Sequence, residues 1–223
     1  MSQTAPVAAG HGGQAPADTP FGVTNGKYAI WMFLMQDCMG FVGFFAAYLA
    51  LRVYAPTWPD PTAELGIWLT SAMTFLLIVS SVTMVFAHDA CERDDRKGLR
   101  FWLFLTMLGG IIFLGGQVYE YYHLLTIGQN FPLMPDWGKP KSHNFWVTFY
   151  ALTSFHGLHV FGGVIYLACM WIGALRGKFG SHNASKVEIL GLYWHFVDLV
   201  WIILFTFVYL VPSKHPFTAH LHG

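Results

Sequence analysis

Apolar residues along this chain gather into five long stretches almost free of charge, and the segments between them concentrate the prolines, glycines and ionic side chains. The stretches run from Tyr28 to Val53, Leu65 to His88, Leu99 to Leu124, Phe145 to Leu175 and Glu188 to Val211. Each exceeds the roughly 20 mainly apolar residues that cross a hydrocarbon core about 30 Å thick. None alternates with the period of two that marks a strand. The pattern therefore predicts an all-α fold, a polytopic membrane protein built as a five-transmembrane-helix bundle. The breaks are well marked: YAPTWPDPTAE carries three prolines, HDACERDDRKG is charged, and RGKFGSHNASK is rich in Gly, Ser and basic residues.

Outside the spans, residues 1–27 hold Gly, Ala, Pro and small polar residues with no basic or apolar leader region, and are expected to form a disordered tail on the inner side. Residues 28–211 form the bundle, and 212–223 a short outer tail. Lys and Arg set the orientation. With the N-terminus inside, the inner segments hold eight of them (Lys27, Arg93, Arg96, Lys97, Arg100, Arg176, Lys178, Lys186) and the outer segments four (Arg52, Lys139, Lys141, Lys214). Trp31, Trp58, Trp68, Trp102, Trp137, Trp146 and Trp194 fall near predicted span ends, where indoles favour the headgroup level.

Composition narrows the class further. Only 11% of the 223 residues are charged while 55% are hydrophobic, against about 25% charged in ordinary soluble domains. Twelve Lys and Arg balance twelve Asp and Glu, so nothing points to a nucleic-acid partner. Cys38, Cys91 and Cys169 are too far apart in sequence for a CxxC motif.

The side chains that could carry chemistry are polar groups inside the spans, each costing roughly 3 kcal/mol at mid-membrane unless partnered. Asp37 lies about 14 Å into the first span, near the midplane. It reads either as a proton-exchanging or lipid-contacting carboxylate, or as a hydrogen-bonding group fixing a helix contact beside Gly40 and Gly43. His156 and His159 sit one turn apart on the fourth span, and His195 and Asp198 one turn apart on the fifth. Counting depth along antiparallel helices levels His156 with Asp198 and His159 with His195, which predicts a buried polar network binding these two helices. A di-metal site would need inward carboxylates from four helices, and only one lies near this cluster; no metal site is predicted. Gly162 and Gly163 suggest close helix packing. Glu120, among tyrosines near the outer end of the third span, reads as a hydrogen-bonded interfacial carboxylate. His215, His220 and His222 in the last tail are given no function.

The segments WMFLMQDCMGFVGFFAAY, SSVTMVFAH, QVYEYY, SFHGLHVFGGVIYL and GLYWHFVDLVWIILF occur in the order and spacing of the core helices of haem-copper terminal oxidase subunit III, and the chain resembles the five-helix bacterial form of that family over nearly all of residues 28–211. The resemblance implies a non-catalytic subunit with no cofactor of its own, packed beside catalytic subunit I, which holds the haem and copper. It implies a bound phospholipid, residence in a bacterial plasma membrane, and support of proton uptake during aerobic electron transport. At the position of Asp37 the family often carries Glu, associated with lipid contact and proton supply. His88, Glu120, Glu188, His156, His159, His195 and Asp198 match other polar positions of the family, and are read as structural. A family doublet of histidines is replaced here by His88 and Asp89. Cytochrome c oxidase is the leading reading, with a quinol oxidase or the accessory protein of a nitric oxide reductase as alternatives and a free-standing transporter as a further one.

The charge asymmetry and the odd number of spans place the two chain ends on opposite sides. Membrane-impermeant thiol reagents added outside are expected to label Ser213→Cys and to spare Arg96→Cys; the reverse pattern would overturn this topology.

Overall fold

The computed structural model describes residues 25–55, 58–60, 65–127 and 143–211, with the backbone alone at 125, 127 and 143. Among them run the helices α1 (Asn25–Tyr54), α2 (Ile67–Glu92), α3 (Arg96–Ile127), α4 (His143–Leu175) and α5 (Ala184–Leu204). A 3-10 turn (Ser181–Asn183) leads into α5, and a π-helical turn (Phe205–Leu210) prolongs it. Five helical segments are long and apolar enough to cross a membrane, and no strand occurs among the described residues. The all-α, five-span expectation is what is observed. Span ends differ by a few residues: α1 already starts at Asn25 and α2 runs on to Glu92, because a helix leaving the hydrocarbon can continue on residues that reach water. Residues 25–27, read as the end of a disordered tail, are helical; the remaining tail readings, Trp137, and the basic and histidine residues at 139, 141 and 214–222 fall outside the described residues.

Local chemistry sets the tight turns. Asp95 caps α3, its Oδ1 accepting the backbone N–H groups of Lys97 and Gly98 at 3.1 Å each, two donors that a helix start otherwise leaves orphaned. Asp94 takes the left-handed φ of 60°, a region that Asp tolerates better than most side chains. At the end of α4, Gly177 has φ of 70°, and the bonds from Gly177 N to Ala174 O and from Lys178 N to Gly173 O close a Schellman motif.

Helices α2 and α3 share the most extensive interface; α5 covers α2, and α4 packs on both α3 and α5. A row of hydroxyls on α2 organises this core. Thr74 and Ser80 each donate back into their own helix, to Thr70 O and Leu77 O at 2.7 Å. Their oxygens accept indole N–H groups from α5, Trp201 at 2.9 Å and Trp194 at 3.1 Å. Thr83 meets Thr106 of α3 at 2.7 Å. Trp194 and Trp201 are fully buried, so the expectation that Trp194 lies in the interfacial belt is corrected. It is drawn inward because Ser80 satisfies its N–H there. Trp146 is likewise buried, whereas Trp31 and Trp68 are exposed as a belt residue should be.

Glycines make room for Trp194. A Cβ on Gly110 of α3 would stand 2.6 Å from its ring, and one on Gly163 of α4 would stand 2.9 Å from it. The close packing expected around Gly163 is thus present. By contrast α1 leans on α4 and α5 through a narrow seam, Leu34, Phe41 and Tyr48, spaced by seven. It is pinned at its ends by polar contacts: Lys27 pairs with Glu188 at 2.7 Å, and Arg52 donates to Val211 O at 3.0 Å. Between α1 and α5 an apolar cleft of about 220 Å³, lined by Phe41, Phe45, Phe196 and Ile203 among others, has no polar lining atom.

Gly110→Ala is expected to destabilise the bundle by about 1–3 kcal/mol through overpacking against Trp194. Gly115→Ala, at a site with nothing within 4 Å, should leave the thermal midpoint in detergent unchanged. Equal midpoints for both variants would contradict the packing described.

Candidate functional site

Most of the polar residues singled out in the sequence fall in three separate places in the bundle, and Glu188 and His88 lie apart from them. The first is Asp37 on α1, whose Oδ2 lies 3.1 Å from Nε2 of His159 on α4. Both side chains retain 15% exposure, so the pair sits at the edge of the helix packing. The His159 ring is held between Phe41 and Phe155, with centroids 5.3 and 4.7 Å away. Its Nδ1 is 2.8 Å from Phe155 O, and Tyr193 of α5 donates to His159 O at 2.9 Å. A carbonyl can only accept, so Nδ1 carries a proton. Nε2 then faces a carboxylate oxygen with its second site, and the approach is repulsive unless the pair shares a further proton. The atoms are within ion-pairing distance, although Oδ2 lacks an aligned hydrogen bond; the contact is accordingly electrostatic and not a directed hydrogen bond. Of the contact expected beside Gly40 and Gly43, a Cβ on Gly40 would meet the Phe155 ring of α4 at 4.0 Å, whereas one on Gly43 would meet nothing within 4 Å.

The second place lies between α5 and its neighbours. His195 meets Ser81 of α2 through Nδ1 and Oγ at 2.5 Å. Asp198 is buried with Ser81 close enough to act on its carboxyl, yet neither carboxylate oxygen has an aligned hydrogen bond. His156 is wholly buried, with neither ring nitrogen partnered, among the rings of Trp201, Phe113 and Phe41 at 5.0, 5.9 and 6.5 Å. The expected pairs, His156 with Asp198 and His159 with His195, are therefore not hydrogen-bonded. The reason is angular. Residues three apart on a helix diverge by about 60°, so His156 enters the bundle centre while His159 turns to α1, and His195 turns to α2.

The third place is Glu120, buried on α3. Thr70 of α2 donates to Oε1 and Tyr209, in the π-helical turn, to Oε2, both at 3.1 Å. It is hydrogen-bonded as expected, but inside the bundle rather than at its surface. One turn before it, Gln117 donates to Thr153 O of α4 at 2.8 Å, and Tyr121 meets Thr153 Oγ1 at 2.6 Å. Glu188 holds Lys27 at 2.7 Å, while His88 is 3.9 Å from Glu92. Among the described residues no three of His, Cys, Asp and Glu gather into a set that could ligate a metal ion.

Sequence reading overlooked Thr70, Ser81, Gln117, Thr153 and Tyr209. Thr70, Thr74 and Ser81, spaced by four and seven, and Ser80 and Thr83, spaced by three, were the available signal for the α2 hydroxyls in the second span. No comparable signal marked Tyr209.

Comparisons bear on this arrangement as a whole. The family profile described as cytochrome c oxidase subunit III matches residues 13–213. The chain is similar to cytochrome c oxidase subunit 3 of Thermostichus vulcanus, 38% identical over 181 residues, which is 81% of this chain and 84% of that one. It is similar to the corresponding protein of Synechocystis sp., 40% identical over 186 residues and covering 82% and 75% of the two chains. A probable cytochrome c oxidase subunit 3 of Mycobacterium leprae is 39% identical over 183 residues, 82% and 85% of the two.

Two substitutions separate satisfied from unsatisfied polar groups. Ser81→Ala orphans a ring nitrogen of His195 and is expected to cost about 1–3 kcal/mol. Asp198→Asn replaces a carboxylate without an aligned partner, and should change the thermal midpoint little or raise it. A large loss in Asp198→Asn with none in Ser81→Ala would show that these partnerships are wrongly drawn.

Proposed function

The chain belongs to the cytochrome c oxidase subunit III family, and from that membership we propose that it serves as the non-catalytic third subunit of a proton-translocating oxidase, stabilising catalytic subunit I and sustaining proton uptake while oxygen is reduced. The electron donor is cytochrome c, in keeping with the names of its relatives. It lies in a bacterial plasma membrane with its N-terminus inside, a placement supported by the eight basic residues against four. Haem and copper reside in the partner subunits. The redox chemistry is theirs, and the contribution of this chain is packing and proton supply.

The observation that carries the reading is the Asp37–His159 pair. It joins two membrane-spanning helices, its oxygen and nitrogen 3.1 Å apart, a distance at which a carboxyl and an imidazole influence each other's charge. Such a pair can accept a proton from one side and release it to another without leaving an isolated charge in hydrocarbon. Both side chains keep 15% exposure at the edge of the helix packing. By contrast His156 and Glu120 are enclosed, and they serve the packing of the bundle. The apolar cleft beside α1 suits an acyl chain of a bound phospholipid, which would seal the pair from the outer half of the membrane.

Asp37→Asn keeps the size and hydrogen-bonding capacity of the side chain but cannot release a proton. The variant complex is expected to assemble fully and to start at the wild-type rate of oxygen consumption. Its activity should then decay sooner, most visibly as pH rises and bulk protons become scarce. Prolonged turnover at several pH values, with subunit content measured afterwards, tests this; identical decay at every pH with full assembly would remove proton support from the account.

A further inference from the structure

The π-helical turn Phe205–Leu210 that prolongs α5 winds wider than an α-turn, so the side chains beyond it point where a regular helix would not send them, and such turns recur at functional positions. Val208 and Tyr209 within it are fully buried. Tyr209 packs against Phe149 of α4 and Phe205, with ring centroids 5.7 and 5.6 Å away. Its hydroxyl donates to Oε2 of Glu120 on α3 at 3.1 Å. Val211 then leaves the helix with an extended backbone, φ −82° and ψ 111°, the conformation favoured by a residue that precedes a proline, here Pro212.

The carbonyl of Val211 is where α1 is tied at its far end. Nη2 of Arg52 donates to it at 3.0 Å, and Nη1 donates to Tyr48 Oη one turn back at 3.2 Å, which aims the guanidinium. Arg52 is buried, whereas Lys27 at the other end of α1 keeps 28% exposure. Two bonds therefore stand in series across the π-turn. Glu120 holds Tyr209, and Val211, two residues on, holds Arg52. Glu120 is fixed in turn by Thr70 of α2, whose hydroxyl donates to Oε1 at 3.1 Å, so the series starts in the best-packed part of the bundle and ends on its most lightly held helix.

We propose that the π-turn is a latch that seats α1 on the bundle, and that Tyr209, anchored on Glu120, is a positioning residue for Asp37. The inference rests on the proton-support role proposed above for the Asp37–His159 pair. The bond to Glu120 keeps the turn in its wide register, the register sets the Val211 carbonyl before Arg52, and Arg52 holds the helix that carries Asp37 about four turns away. Oδ2 of Asp37 approaches His159 without an aligned hydrogen bond. Its distance from the imidazole is therefore set by how α1 is held and not by the contact itself.

The test uses the assembled complex with this chain at full length. Spin labels on unnatural residues introduced at Val53 of α1 and Val147 of α4, both exposed and at the same end of the bundle, read how firmly α1 is seated. Tyr209→Phe keeps the ring and removes one hydrogen bond, and is expected to raise the population with α1 displaced roughly two- to tenfold. Arg52→Gln should do the same, and the double variant should add little to either. In prolonged turnover Tyr209→Phe should lose activity sooner than the unsubstituted complex, and Tyr209→Phe with Asp37→Asn should decay no faster than Asp37→Asn alone. A bifunctional thiol reagent joining Val53→Cys to Val147→Cys should restore durability to Tyr209→Phe. Tyr122→Phe, at an exposed tyrosine of α3, is the control and should match the unsubstituted complex in both measurements. An unchanged distance distribution in Tyr209→Phe overturns the latch. A displaced α1 with undiminished durability, or decay that adds to that of Asp37→Asn, overturns the positioning role. If Asp37→Asn itself decays no sooner than the unsubstituted complex, the proton-support reading fails, and the latch stands or falls on the distances.

Discussion

Hydrogen bonds between hydroxyls of α2 and indoles of α5 are the contacts on which the rest of the bundle depends. In lipid, two apolar helices gain nothing from excluding water, since the surrounding tails are as apolar as leucine. Association then rests on close packing and on polar groups that have nowhere else to bond. Thr74 with Trp201 and Ser80 with Trp194 supply such groups. Each hydroxyl gives its proton to its own helix and accepts one from α5, so no lone proton is stranded. Once Trp194 is held there, Gly110 and Gly163 must be glycine for α3 and α4 to close around it. Four helices are thereby fixed by one buried ring and its partner.

The fifth helix is attached differently, and the difference matters for function. Helix α1 touches the bundle by one seam, an ion pair at one end and an arginine-to-carbonyl bond at the other. Its midpoint contact is the Asp37–His159 pair. A rigid four-helix core thus presents His159, and a more lightly held helix presents Asp37 to it. Enclosed polar groups such as Glu120, bonded on both oxygens, are suited to holding geometry. The pair at the lightly packed edge is where the proposed proton support is placed.

Much of this was legible in the chain itself. Five runs of apolar residues broken by proline, glycine and charge dictate five spans, because hydrocarbon admits only backbone that satisfies its own hydrogen bonds. Motif order was enough to indicate the family, and depth counting put Asp37 near the middle of its span. Depth, however, is a one-dimensional coordinate. It levelled His156 with Asp198 and His159 with His195, whereas the partners are chosen by rotation about each helix axis. A turn of about 60° between residues three apart sends His159 to Asp37 and His195 to Ser81, and leaves His156 and Asp198 with no aligned hydrogen bond.

The sequence by itself determined how many membrane-length helices the chain forms, where each lies to within a few residues, and which polar residues fall inside them, since these follow from length, hydropathy and rise per residue. Only the tertiary structure decided which deep residues meet. Trp194 looked like an interfacial anchor until the position of Ser80 showed its N–H satisfied inside, and Tyr209 reaches Glu120 from a π-helical turn that no periodicity announces. Pairing across helices depends on azimuth and on which neighbour stands at each face, and a linear pattern carries neither.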